Sequence, residues 1–170
     1  MNQPTINELL LSTELFFNQH WNTAELGEYP KWSDPHFNFG KIPNYDKQGV
    51  YAFVKDDLIT YIGVGTSRGS GRYRGNGLSA RVMKYCRWNE DKTEYIAVDP
   101  RLKEAGSIIT IGFERDTAYL ANALEIFLIS KLEPMADSFI DDFSPYPYKF
   151  AFIYKMMAYT FFDFSAYPIR

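Results

Sequence analysis

The sequence predicts an α+β fold. Two β-branched and aromatic runs, Gly49–Val54 and Leu58–Val64, flank the charged turn Lys55-Asp56-Asp57 and read as a hairpin. A third such run covers Ser107–Glu114. Segments with helical periodicity and cap signals lie before, between and after these strands.

The elements follow in order. Thr5 and Glu8 have the spacing of a capping box ahead of Leu9, Leu10, Leu11, Leu15 and Phe16, which predicts a helix over residues 5–18. From Glu28 to Gln48 the chain carries Pro30, Pro35, Gly40 and Pro43 and reads as an irregular connector. In the hairpin, a three-residue loop at 55–57 would place Tyr51 opposite Tyr61 on one face. A two-residue turn at Asp56-Asp57 would oppose Tyr51 to Ile62 and send the tyrosines to different faces. The three-residue loop is the expectation. Thr66–Gly77 is rich in glycine and reads as a loop. Leu78, Arg81, Val82 and Tyr85 fit a helix of about three turns. Residues 93–98 read as a short strand. Asp99 as N-cap, Pro100 in the first turn and Gly106 as a stop frame a short helix. Thr117–Leu132 reads as a long helix ended by Pro134.

Composition narrows the class. A length of 170 residues suits one domain, and a hydrophobic share of 46% with 23% charged residues is that of a globular chain. The lone cysteine, Cys86, excludes an intrachain disulfide and a cysteine-rich zinc site. His20 and His36 are too few for a histidine-built metal centre. No apolar run approaches the roughly 20 residues of a membrane span, and the N-terminus lacks a basic leader pattern. A soluble, cytoplasmic protein is expected.

Charge is segregated. The formal net charge is −3, yet Val64–Trp88 holds six basic residues (Arg68, Arg72, Arg74, Arg81, Lys84, Arg87) and no acid. Such a stretch is commonly a solvated loop. Its glycines and its aromatics, Tyr73, Tyr85 and Trp88, point instead toward a phosphate or nucleic-acid partner.

Two motif matches fail on context. Gly65-Thr66-Ser67-Arg68-Gly69 has the pattern of a hydrolase nucleophile elbow, but no helix follows the serine and both histidines precede it. Gly75-Asn76-Gly77-Leu78-Ser79-Ala80 fits a dinucleotide fingerprint without the parallel strand that should lead into it.

Among residues that could carry chemistry, Glu125 stands mid-helix beside Ala121, Leu124 and Leu128. A carboxylate on so apolar a face needs a cation or hydrogen-bond donors. Spacing alone favours a structural ion pair, with Arg81 as one candidate partner; the alternative is a single-carboxylate Mg²⁺ or Mn²⁺ site. Arg81 lies one helix turn before Tyr85 and offers a planar fork to a phosphate, although surface arginines are common. Tyr51 and Tyr61 are also compatible with ordinary half-buried strand aromatics.

Taken together, Gly49-Val50-Tyr51, nine residues, then Tyr61-Ile62-Gly63 resembles the signature hairpin of the GIY-YIG nucleases. Leu78-Ser79-Ala80-Arg81-Val82 is similar to that family's arginine helix. Ala123–Ile129 followed by Pro134 is similar to its glutamate helix. The match spans residues 49–137. It implies a small three-stranded antiparallel sheet flanked by helices and a divalent-metal-dependent endonuclease acting on DNA. By the resemblance Glu125 holds Mg²⁺ or Mn²⁺ and Arg81 stabilises the phosphate. Tyr51 helps deprotonate the attacking water, with Tyr61 beside it and Tyr85 supporting it. Arg68, Arg72, Arg74, Lys84 and Arg87 are the expected DNA contacts. A phenol with its usual pKa near 10 is a weak base at neutral pH, so neighbouring cations must lower it. One departure is Asp137, where the family usually has an asparagine that can donate a hydrogen bond. The alternative reading is an inactive relative that binds nucleic acid or a protein through the same surface. Residues 1–48 are expected to form an N-terminal helix and extension. Residues 138–170, whose last 25 positions hold ten Tyr or Phe, are expected to pack on the same domain or form a homodimer interface.

Overall fold

In a computed structural model the structure describes residues 3–37, 39–66 and 75–134. Arg68, Arg72, Arg74, Asp137 and the aromatic segment 138–170, with its expected homodimer interface, lie outside the described residues.

Helix α1 (Ile6–His20) starts where the capping box predicts: the Glu8 backbone N–H donates to Thr5 Oγ1, and the Thr5 N–H donates to the Glu8 carboxylate at 2.7 Å. A single turn, α2 (Thr23–Leu26), follows. Strands β1 (Gln48–Lys55) and β2 (Leu58–Gly65) form the hairpin. Helix α3 (Gly77–Val82) tightens into a 3₁₀ turn at Met83–Tyr85. It then leads into a small hairpin, β3 (Cys86–Trp88) with β4 (Tyr95–Ala97). Helix α4 (Pro100–Ala105) is capped by Asp99 and closed by Gly106, which sits at φ +82° in the left-handed region. Strand β5 (Ser107–Phe113) and helix α5 (Leu120–Leu132) complete the described chain.

The main sheet has three antiparallel strands in the order β2-β1-β5. Helices cover both of its faces. On one side Val50, Ala52, Ile62 and Ile111 meet Leu9, Phe16 and Phe17 of α1 with Ala121, Leu124 and Leu128 of α5. On the other, Tyr51, Phe53, Tyr61 and Ile108 meet Leu78 and Val82 of α3, Tyr85, and Leu102 of α4. Burial from both sides explains why β1 and β5 read as continuous apolar runs rather than as an alternation. Main chain also covers parts of the outer edges. Ser33 and His36 of the connector donate to Thr110 and Ile108 of β5, and Ile59 of β2 donates to the Pro4 carbonyl.

The hairpin corrects the expected register. Lys55 pairs with Leu58, so the turn has two residues, Asp56 and Asp57, both at positive φ as a tight hairpin turn requires. That turn alone would separate the tyrosines. A bulge at Thr60 restores them to one face: Val54 pairs with Ile59 while Phe53 pairs with Tyr61 and Tyr51 with Gly63. The Thr60 hydroxyl donates to the Phe53 carbonyl at 3.3 Å, beside the interrupted ladder. The extra residue lets Ile59 enter one core and Tyr61 the other. Positive φ at Asp57 costs about 1 kcal/mol that glycine avoids. Asp57→Gly is therefore expected to raise the thermal midpoint by about 2–4 °C. An unchanged midpoint would mean the turn is not strained.

Candidate active site

Three tyrosines converge under α3. Tyr51 is fully buried and its hydroxyl lies 2.7 Å from that of Tyr85. Its ring lies 6.0 Å from those of both Tyr61 and Tyr85. Room for this ring comes from Gly63, directly across the ladder: a Cβ there would stand 2.5 Å from Tyr51 Oη and 2.9 Å from a Tyr61 ring carbon. The glycine of the second tripeptide is thus a seat for the tyrosine of the first.

Arg81 joins this cluster to solvent. Half-buried on α3, it donates from Nε to Tyr51 Oη at 3.4 Å, a long bond, and its guanidinium lies 5.8 Å from the Tyr85 ring centre. Arg81 also lines a cleft of about 350 Å³ with Val64, Gly65, Thr66, Ala80, Lys84 and Glu125. Glu125 is brought there by α5, whose Ala121, Leu124 and Leu128 are buried against the sheet. Burial pushes its carboxyl up to about 7, although the Val64 backbone and the Arg81 charge pull it partway back. Arg81 and Glu125 are not among the close ion pairs of the described residues, which are Lys31–Glu28, Lys47–Glu114 and Arg101–Asp99. The ion pair that spacing favoured is therefore replaced by two groups of opposite charge sharing one cleft.

The protein groups around Tyr51 move its pKa upward on balance. Burial, reinforced by Tyr61 and Tyr85, raises it, and the hydrogen bond from Arg81 offsets only part of that rise. In this arrangement Tyr51 is a protonated phenol at neutral pH.

Lys84 is exposed at the cleft, whereas Arg87 is exposed on β3 and does not line it. Arg101 escaped the sequence reading. Its guanidinium lies 4.7 Å from the Tyr61 ring centre and 5.2 Å from that of Tyr85, and Asp99 holds it through two hydrogen bonds of 2.9 Å. The one available signal was Asp99-Pro100-Arg101, which places a basic residue two positions after a capping aspartate.

Among the described residues no three His, Cys, Asp or Glu side chains cluster to enclose a metal. The cleft instead offers one carboxylate whose ionisation is costly without a nearby cation. That donor suits Mg²⁺ or Mn²⁺, which take oxygen ligands and retain much of their water. No helix among the described residues is long and apolar enough to cross a membrane. No family model matches the chain, and no curated protein or solved structure matches it either.

Proposed function

We propose that this protein is a divalent-metal-dependent endonuclease of GIY-YIG type that hydrolyses DNA phosphodiester bonds. The observation supporting it most is that Arg81 and Glu125, from different helices, line one cleft without closing on each other. A phosphate entering the cleft meets the Arg81 fork, which is always charged and matches two phosphate oxygens. Tyr51 accepts from Arg81 Nε and so steadies that fork from behind. Lys84 adds a second positive charge at the mouth. When bound at Glu125, a divalent cation would supply Lewis-acid stabilisation and a more acidic water. Tyr85 shares a hydrogen bond with Tyr51 and so helps hold the hydroxyl that faces the Arg81 fork.

One rival, an inactive module that binds nucleic acid through the same surface, draws support from the full burial of Tyr51, whose hydroxyl already has Tyr85 and Arg81 as partners. Nicking of supercoiled plasmid in Mg²⁺ or Mn²⁺, for native protein and Glu125→Ala, separates the two. Cleavage that requires metal and vanishes in the variant supports the enzyme. No cleavage, with salt-sensitive DNA binding retained, supports the module. Cleavage that survives in Glu125→Ala sinks the assignment of this cleft.

A further inference from the structure

Beside the cleft lies a larger groove of about 870 Å³ between the start of β1, the end of β5 and the entry to α5. Thr66 lines both spaces. Its hydroxyl donates to Asn122 Oδ1 at 3.2 Å. On the rim Tyr119 is 68% exposed, a large aromatic face left in water. The charges in the groove are the Lys47–Glu114 ion pair at 2.6 Å, with Arg115 and Asp46 outside any ion pair of the described residues.

We infer that this groove holds the stretch of DNA strand next to the scissile phosphate, with an unpaired base stacked on Tyr119 and a phosphate on Arg115. The inference rests on the nuclease reading and extends it to substrate class: DNA whose bases are unpaired beside the cut. A paired base inside a duplex cannot offer its face to a side chain, whereas an unpaired one stacks on any aromatic ring regardless of sequence. Asp46 works against the phosphates, so its removal should tighten binding.

Fluorescence anisotropy of a short labelled oligothymidylate, with full-length protein in EDTA to prevent cleavage, tests this. Native protein should bind it in a salt-sensitive way. Tyr119→Ala should weaken binding about tenfold while Tyr119→Phe does not. Arg115→Gln should lower the salt slope by about 0.7, and Asp46→Asn should raise affinity. All of these side chains are on the surface, so the fold should tolerate the changes. Undetectable binding by native protein, or binding unchanged in Tyr119→Ala, overturns the inference. If plasmid cleavage still depends on Glu125, the groove alone has failed. If the groove binds as expected but no metal supports cleavage, the nuclease reading has failed.

Discussion

Glu125→Gln is expected to produce opposite changes in activity and stability. Plasmid cleavage should fall by about a thousandfold or more, because a Lewis-acid cation contributes several kcal/mol to the transition state. Above neutral pH the same change should stabilise the fold. The Glu125 carboxyl has a pKa near 7 when folded and an ordinary value near 4.5 when unfolded. The folded state therefore holds this proton more tightly. Its penalty is absent below about pH 4.5, grows between pH 4.5 and 7, and is complete above pH 7. Roughly halving the full linkage for solvent around a half-buried group leaves about 2 kcal/mol. Glutamine carries no charge and escapes that penalty.

Thermal unfolding at about pH 5 and pH 8 measures the difference, which should appear mainly at the higher pH. Adding Mg²⁺ at the higher pH should then raise the native midpoint and leave that of Glu125→Gln unmoved. A stability gain independent of pH would mean that Glu125 is not desolvated. A cation shift of equal size in both proteins would place the metal elsewhere.

Gly49→Ala should be the most damaging of the conservative substitutions. A Cβ at Gly49 would stand 2.0 Å from the Ile111 carbonyl oxygen and 2.9 Å from Leu78 Cδ1. The first neighbour is backbone of the adjacent strand, so relief requires β1 and β5 to separate where they pair. Side-chain overpacking typically costs 1–3 kcal/mol, and a backbone collision should exceed it, reaching about 4 kcal/mol or more. Against a total stability of roughly 5–15 kcal/mol, much of the protein should misfold. Gly112 pairs with Gly49 across the same ladder, but its added Cβ would meet the Asn44 side chain at 2.7 Å. The nearest atom is Asn44 Cβ, which moves only with its loop backbone, and the Asn44 amide is tied to Thr110. A loop can give where a paired strand cannot, so Gly112→Ala should cost about 2–3 kcal/mol, less than Gly49→Ala. Urea unfolding of both variants tests the ranking; equal midpoints would refute the backbone argument.

The parts of the fold written in local chemistry were legible in the sequence. Thr5 with Glu8 marked the start of α1, and Asp99, Pro100 and Gly106 bounded α4, because caps act within one turn of chain. The hairpin register was not legible. Its bulge exists because Ile59 and Tyr61 belong to different cores, and nothing within the hairpin says which helices wait on each side. Strand β3 was missed for a related reason: three residues directly after helical periodicity gain their meaning from Tyr95–Ala97. At the site, the pattern of Tyr51, Tyr61, Arg81 and Glu125 was visible as spacing, while the direction of the Tyr51 pKa depended on burial that spacing does not encode. Arg101 acts through ring faces brought together only by tertiary packing.

The extra residue at Thr60 makes the length of this hairpin as informative as its composition. If Thr60 were drawn into the ladder instead of bulging out of it, Tyr61 would pair with Ala52 and turn toward α1 and α5, emptying the tyrosine cluster although every signature residue would remain in the chain. Chains carrying the same two tripeptides can therefore differ in whether they assemble a site at all. The number of residues between the tyrosines, counted together with the turn type, is the feature by which to sort them.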